Sequence, residues 1–226
     1  MKRLSYILLF LTTILLSSCT SYTRLSQYPK MYEEQPNVIV VMPPINKTTN
    51  VEAKDLLYTS ISAPLIKSGY YVISPYIAME MFKSESGYDA EMFIENDQQI
   101  FNKVFGADAV VYTVIEKWKK SGAAYLNTKI QYIVKSTKTN DILFERTCEL
   151  FLDMSESSSD SNNSLIGALV NIATTAINTA LTDHIVAARR SNYHVFQDIP
   201  RGKYSPEYMT DQENSVGKQD FSVTVK

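Results

Sequence analysis

Cysteine and histidine are scarce in this chain, with two of each among 226 residues. A small secreted scaffold stapled by disulfides needs a larger, even set of cysteines, and Cys19 and Cys148 do not supply one. His184 and His194 do not sit at the i,i+4 spacing that puts two ligands on one helical face, and no HExxH or paired-Cys motif accompanies them, which argues against zinc. Glycine is also sparse, at seven. None of the seven builds a GxxxxGK[ST] phosphate loop or a GxGxxG turn, and no GxSxG elbow offers a serine nucleophile. No basic stripe is present and the net charge is −2, so nucleic acid is not an expected partner. A non-enzymatic protein without metal or bound cofactor is the expectation.

The first nineteen residues carry the strongest positive pattern. Lys2 and Arg3 form a cationic start, Tyr6 to Leu16 is apolar, and the small residues Ser17 and Ser18 lead to Cys19. A spanning helix needs about 20 apolar residues, so this run is too short to be one. It reads as a cleaved signal peptide over 1–18, and Leu16-Ser17-Ser18-Cys19 resembles a bacterial lipobox. That resemblance implies a diacylglycerol thioether and an N-acyl chain on Cys19. Thr20 stands where an Asp would resemble an inner-membrane retention signal. The expected location is therefore the outer membrane, lipid-anchored and facing the periplasm. Removal of Lys2 and Arg3 deepens the acidic excess, which disfavours docking on anionic lipid.

Residues 19–37 are polar, carry Pro29 and Pro36, and read as a lipidated tether. A single domain is expected over 38–210. Val38 to Met42 is a continuous β-branched run closed by Pro43-Pro44, suited to a strand covered on both faces. Thr49-Asn50-Val51-Glu52 has capping-box spacing before a helix bearing Leu56, Leu57, Ile61 and Leu65. That helix ends at Gly69, with a kink or an early end at Pro64. A strand over Tyr70 to Ile73 follows. Ser74-Pro75 opens a short helix to Phe82, and Asn96-Asp97 caps another carrying Ile100, Phe101, Val104 and Phe105. Ala109 to Ile115 reads as a strand. Leu126 to Val134 alternates, as a half-buried antiparallel strand does, and turns at Thr139-Asn140-Asp141 into a strand holding Cys148. On that strand Cys148 is a small buried hydrophobe, and Arg146 is out of place among inward positions.

Residues 155–164 form a Ser-rich loop, and 165–188 a long helix with a stripe of Asn and Thr that excludes a membrane span. Its small residues, Ala173, Ala176 and Ala180 among them, mark it as a candidate partner surface, with packing on its own sheet as the competing reading. Arg201 and Tyr204, in Pro200 to Tyr208, form a second candidate surface or else a rigid turn. Lys117-Trp118-Lys119-Lys120 offers an interface anchor or glycan platform against a plain strand end with solvated lysines. Residues 211–226 read as a flexible tail. The order of elements predicts an α/β fold, one mixed sheet of about five strands with helices packed on it.

Three features together resemble a known group. They are the lipobox at Cys19, the segment Val38 to Thr48 with its PP-x-N-x-[ST] loop, and the apolar helix followed by Pro200-Arg201-Gly202-Lys203-Tyr204-Ser205-Pro206. The chain resembles bacterial lipoproteins of unknown function whose fold is similar to the TolB N-terminal domain, and also to CsgG and LpoB. The resemblance implies an accessory or adaptor subunit of envelope biogenesis, transport or secretion assemblies. It would act as a homodimer or within an operon-encoded lipoprotein complex. Alternatives within it are a regulator of a peptidoglycan-synthesising enzyme and a secretion-pore subunit. It carries over no catalytic residue.

Overall fold

The computed structural model describes residues 22–84, 90–122, 125–153 and 176–226, and the side chains of the last stretch from Thr182 onward. The signal region, Cys19 and the loop at 155–164 lie outside the described residues, as does most of the helix expected from 165.

Strand β1 (Val38–Val41) lies between β3 (Tyr71–Val72) and β4 (Ala109–Ser121), parallel to both. Pro43 and Pro44 have no N–H to give a ladder, so pairing stops there. It resumes in β2 (Ile45–Asn46), which pairs further along the same edge of β4. Strands β4, β5 (Tyr125–Ser136) and β6 (Ile142–Asp153) form an antiparallel meander, and β7 (Asp220–Val225) joins β6 in parallel. The result is one seven-stranded mixed sheet, ordered β3-β1-β4-β5-β6-β7 with β2 beside β4. The α/β class holds. The two strands beyond the expectation are β2, which is two residues long, and β7.

Helices cover the sheet unevenly. On one face sit α3 (Glu52–Ser60), α4 (Ser62–Lys67) and α8 (Ala176–Phe196), where Leu57, Ile61, Leu65 and Phe196 meet Ile39, Val111, Ile130 and Tyr132 in the larger core. On the other face α5 (Pro75–Ser84), α6 (Glu91–Ile94) and α7 (Gln99–Phe105) cover only the β1–β4 part. There Ala78, Phe82 and Phe101 pack on Val40, Val110 and Tyr112. The break between α3 and α4 falls where Pro64 has no N–H for the Ser60 carbonyl. The start of α3 is capped differently from the expected box: the Asn50 side chain, not Thr49, accepts the Ala53 N–H at 2.9 Å.

Three expectations are corrected. Residues 22–37 are not a tether within the described part: α1 (Arg24–Gln27) and α2 (Pro29–Glu34) lie on the sheet. Tyr28 and Met31 are only 3% exposed, and the Tyr28 ring meets Phe144 at 4.6 Å. Tyr28, Met31 and Tyr32 form one helical turn's apolar stripe, too short for its period to stand out among polar neighbours. The segment 211–226 is not a loose tail, since it holds β7 and the buried Asp211. Helix α8 runs past Ala188 to Phe196, because Ser191, Asn192, Val195 and Phe196 continue its buried stripe.

Candidate functional site

The structure binds its polar side chains mostly into clasps. Arg146, the misplaced cation of β6, is 2% exposed. Its guanidinium meets Asp198 at 2.7 Å and donates to the Val195 carbonyl (3.2 Å) and the Lys218 carbonyl (2.8 Å). It also stacks over Phe221 at 4.3 Å. Asp198 accepts the Gly217 N–H as well, at 3.0 Å. One buried charge thus ties α8's end and the approach to β7 onto the sheet. Arg24 of α1 plays a similar part, pairing with the buried Asp211 at 2.7 Å and donating to the Gln197 carbonyl.

Arg201, expected as a candidate surface residue, turns out to be tied down. Its N–H donates to Asp211 at 2.9 Å, and its guanidinium reaches Glu207 and the Ser68 hydroxyl, each at 3.2 Å. Gly202 lies against Gly69, which has φ +91°. A Cβ on Gly202 would fall 2.4 Å from the Gly69 carbonyl oxygen, so neither position has room for a side chain. The segment is therefore the rigid turn. Tyr204 stands out from it, 64% exposed. Ala173 and the side chains of Ala176 and Ala180 lie outside the described residues. From Thr182 on, α8's inward side is core: Tyr132 donates to Asn192, which donates in turn to the Leu57 carbonyl and the Ser60 hydroxyl.

Trp118 is not an exposed anchor. It is 6% exposed, and its indole N–H donates to Nδ1 of His184 at 3.0 Å. His184 is itself 8% exposed, not solvated as the sequence suggested. Burial first, then Lys120 nearby, pushes its pKa below the usual histidine value, with Glu52 and Asp183 opposing. Its accepting nitrogen must be unprotonated for this bond to exist. Cys148 is fully buried, and burial pushes its thiol up to about 12, where almost no thiolate forms near neutrality. Among the described residues no group of three His, Cys, Asp or Glu is placed to hold a metal ion.

Two surfaces remain open. The uncovered face of β4 to β7 forms a shallow polar depression of about 680 Å³, lined by Glu116, Lys129, Gln131, Glu149 and Asp220 among others. Its charges are already paired, Lys129 with Glu116 at 2.7 Å and Lys117 with Glu149 at 3.1 Å. The Lys117 bond holds the Glu149 carboxyl below its ordinary value. The second surface is apolar. The outer sides of α5 to α7 expose Tyr76, Ile77, Met81, Met92, Ile100 and Val104. Ile77 with Met81, and Ile100 with Val104, stand at i,i+4, so each pair shares a helix face opposite the buried Phe82 and Phe101. Sequence reading assigned these positions to ordinary amphipathic helices. The available indication was their excess of apolar residues over what one buried stripe needs.

A family model described as "Putative lipoprotein GNA1162-like" matches residues 26–199. The chain belongs to this lipoprotein family. A lipoprotein of Neisseria meningitidis serogroup B, NMB1124/NMB1162, is 28% identical over 158 residues, which is 69% of this chain and 72% of the relative. Solved structures similar to it include lipoprotein GNA1162 of Neisseria meningitidis, at 24% identity and TM-score 0.49, covering 66% of this chain and 99% of that one. A PelC dodecamer from Paraburkholderia phytofirmans matches at 14% identity and TM-score 0.43, over 74% and 90% of the two chains. The LpoB C-terminal domain of Salmonella enterica matches at 14% and 0.34, over 57% and 98%. Among the described residues no helix is long and apolar enough to cross a membrane.

Proposed function

We propose that this family member is a lipid-anchored adaptor of the bacterial envelope, held by its acylated Cys19 to the outer membrane on the periplasmic side. Its domain presents the outer face of α5 to α7 to a protein partner. The observation that carries this reading is that these helices are apolar on both sides. Their inner residues already fill the smaller core, while Ile77, Met81, Met92, Ile100 and Val104 stand in solvent with 37–63% exposure. Contiguous exposed apolar area of this kind marks interaction surfaces more often than accident. The membership in a lipoprotein family supports the anchor, and the clasped, fully paired polar groups elsewhere leave little chemistry for catalysis.

Photo-crosslinkable residues at Ile77 and Met81 in intact cells, read by mass spectrometry, test the surface. A discrete envelope protein captured at both positions, and lost in Ile77→Glu with an unchanged melting temperature, is the expected result. Capture that is equal from the polar face, for instance at Gln131, would remove the reading. Metabolic labelling with a palmitate analogue tests the anchor separately. The wild type takes up label and Cys19→Ala does not, and labelled protein fractionates with the outer membrane.

A further inference from the structure

We infer that β7 is a self-pairing edge, through which two copies of this chain join antiparallel across a twofold axis. This pairing is independent of which envelope partner the apolar helices bind. Among the described residues β7 pairs with β6 alone. At the other end of the sheet β3 offers only two residues, so β7 is the one long edge. Edges of this length are ordinarily blunted by proline, bulges or a covering element, because their free N–H and C=O groups recruit other strands. Asp220 to Val225 contains no proline, and no bulge interrupts its register with β6.

The orientation of the free groups follows from the ladder. The Thr147 N–H bonds the Gln219 carbonyl at 3.0 Å. In a parallel pair the same main-chain side recurs every second residue, so Gln219, Phe221 and Val223 face β6. Asp220, Ser222 and Thr224 turn their N–H and C=O outward. Two antiparallel copies can therefore exchange hydrogen bonds only in registers that set even-numbered residues opposite each other. Centring the axis on Ser222 puts Lys218 opposite Lys226, a like-charge pair that is destabilising. Centring it on Val223 instead puts Asp220 opposite Lys226 and Ser222 opposite Thr224. Phe221 then meets Val225, and Val223 meets its own copy.

That register also keeps the faces in order. Phe221 and Val223 are only partly buried, and Val225 is 9% exposed; all three belong to the apolar face of the sheet. The added strand extends this face with Phe221, Val223 and Val225 of the second copy, while the polar Asp220, Ser222, Thr224 and Lys226 stay together on the other side. Charge, main-chain direction and side-chain alternation all select one self-complementary, isologous arrangement.

The test uses the full chain purified in detergent, with self-association read by sedimentation. A concentration-dependent dimer is expected. Thr224→Pro deletes an outward N–H without touching the β6 ladder and should weaken dimerisation at least about tenfold at an unchanged melting temperature. Asp220→Lys should weaken it as well, and adding Lys226→Asp should restore it. Val223→Cys sits at the axis, where opposed Cα atoms lie about 4.5 Å apart, within disulfide reach. It should crosslink on oxidation above the wild-type background, whereas Asp220→Cys, far from its own copy, should not. Should Thr224→Pro lower the melting temperature, the charge-reversal pair decides. A chain that is monomeric throughout, a dimer indifferent to charge reversal, or one that Val223→Cys fails to bridge would each overturn the inference.

Discussion

The two halves of the sheet solve the burial problem differently. In the β3-β1-β4 half, helices lie on both faces, and Ile39, Val40, Val41 and Met42 are all fully buried. In the β5-β6-β7 half only one face is covered, and burial alternates along each strand. Parallel strands covered on both sides are unbroken apolar runs, and antiparallel ones alternate. The first half thus derives its stability from ordinary packing. The second depends on a few buried polar clasps, Arg146 above all, to hold the C-terminal segment against it.

The comparison is broken most sharply at Arg146. Arg146→Ala removes one partner of a buried pair and strands Asp198, so it should cost about 3–5 kcal/mol. Hydrogen exchange should show β7 losing protection before β1 does. Protection lost equally in both halves would mean that the clasp is not local. In the doubly covered half, Ile39→Ala should cost about 2–4 kcal/mol through its cavity, measured by denaturant unfolding. Lys129→Ala on the open face should leave the melting temperature where it was, and a large loss there would contradict the solvated reading of that face.

The Trp118–His184 bond predicts a pH effect with a definite sign. The folded-state pKa of His184 is depressed, so protons bind the unfolded chain first. Stability is full above about pH 6.5, the unfolded value, and declines as pH falls through the folded pKa. Between pH 7.5 and 5.5 the wild type should lose more melting temperature than His184→Gln. The smallest effect is expected at Cys148: Cys148→Ala should cost roughly 1 kcal/mol. The native thiol should react with a thiol reagent only after unfolding.

Much of this was legible in the sequence where the pattern was long. The β-branched run before Pro43, the alternation from Leu126 to Val134, the turn at Asn140 and the helix ends at Gly69 and Gly106 all sit where their local chemistry puts them. Two kinds of feature escaped. Short apolar stripes such as Tyr28–Met31–Tyr32, or the three inward residues of β7, carry too little period to be read without the surface they pack on. Polar residues whose partners are distant in sequence also escaped: Arg146 with Asp198, Arg24 with Asp211, Trp118 with His184. Nothing local distinguishes these from solvated surface. The candidate surface on α5 to α7 was hidden for the opposite reason, since exposed apolar residues look like core until the core is seen to be full.

The folding of residues 22–37 onto the domain has a mechanical consequence. Three peptide units separate Cys19 from Tyr22, and they extend at most about 11 Å. With a lipid on Cys19 the protein is moored on a short painter rather than a long line. The Tyr22 carbonyl accepts the Val216 N–H, Arg24 N–H bonds the Asn214 carbonyl, and Thr23 bridges Ser215. A pull on the mooring is therefore passed at once to the segment leading into β7. The domain can sweep only a narrow shell above the bilayer, and any partner has to come down to meet it.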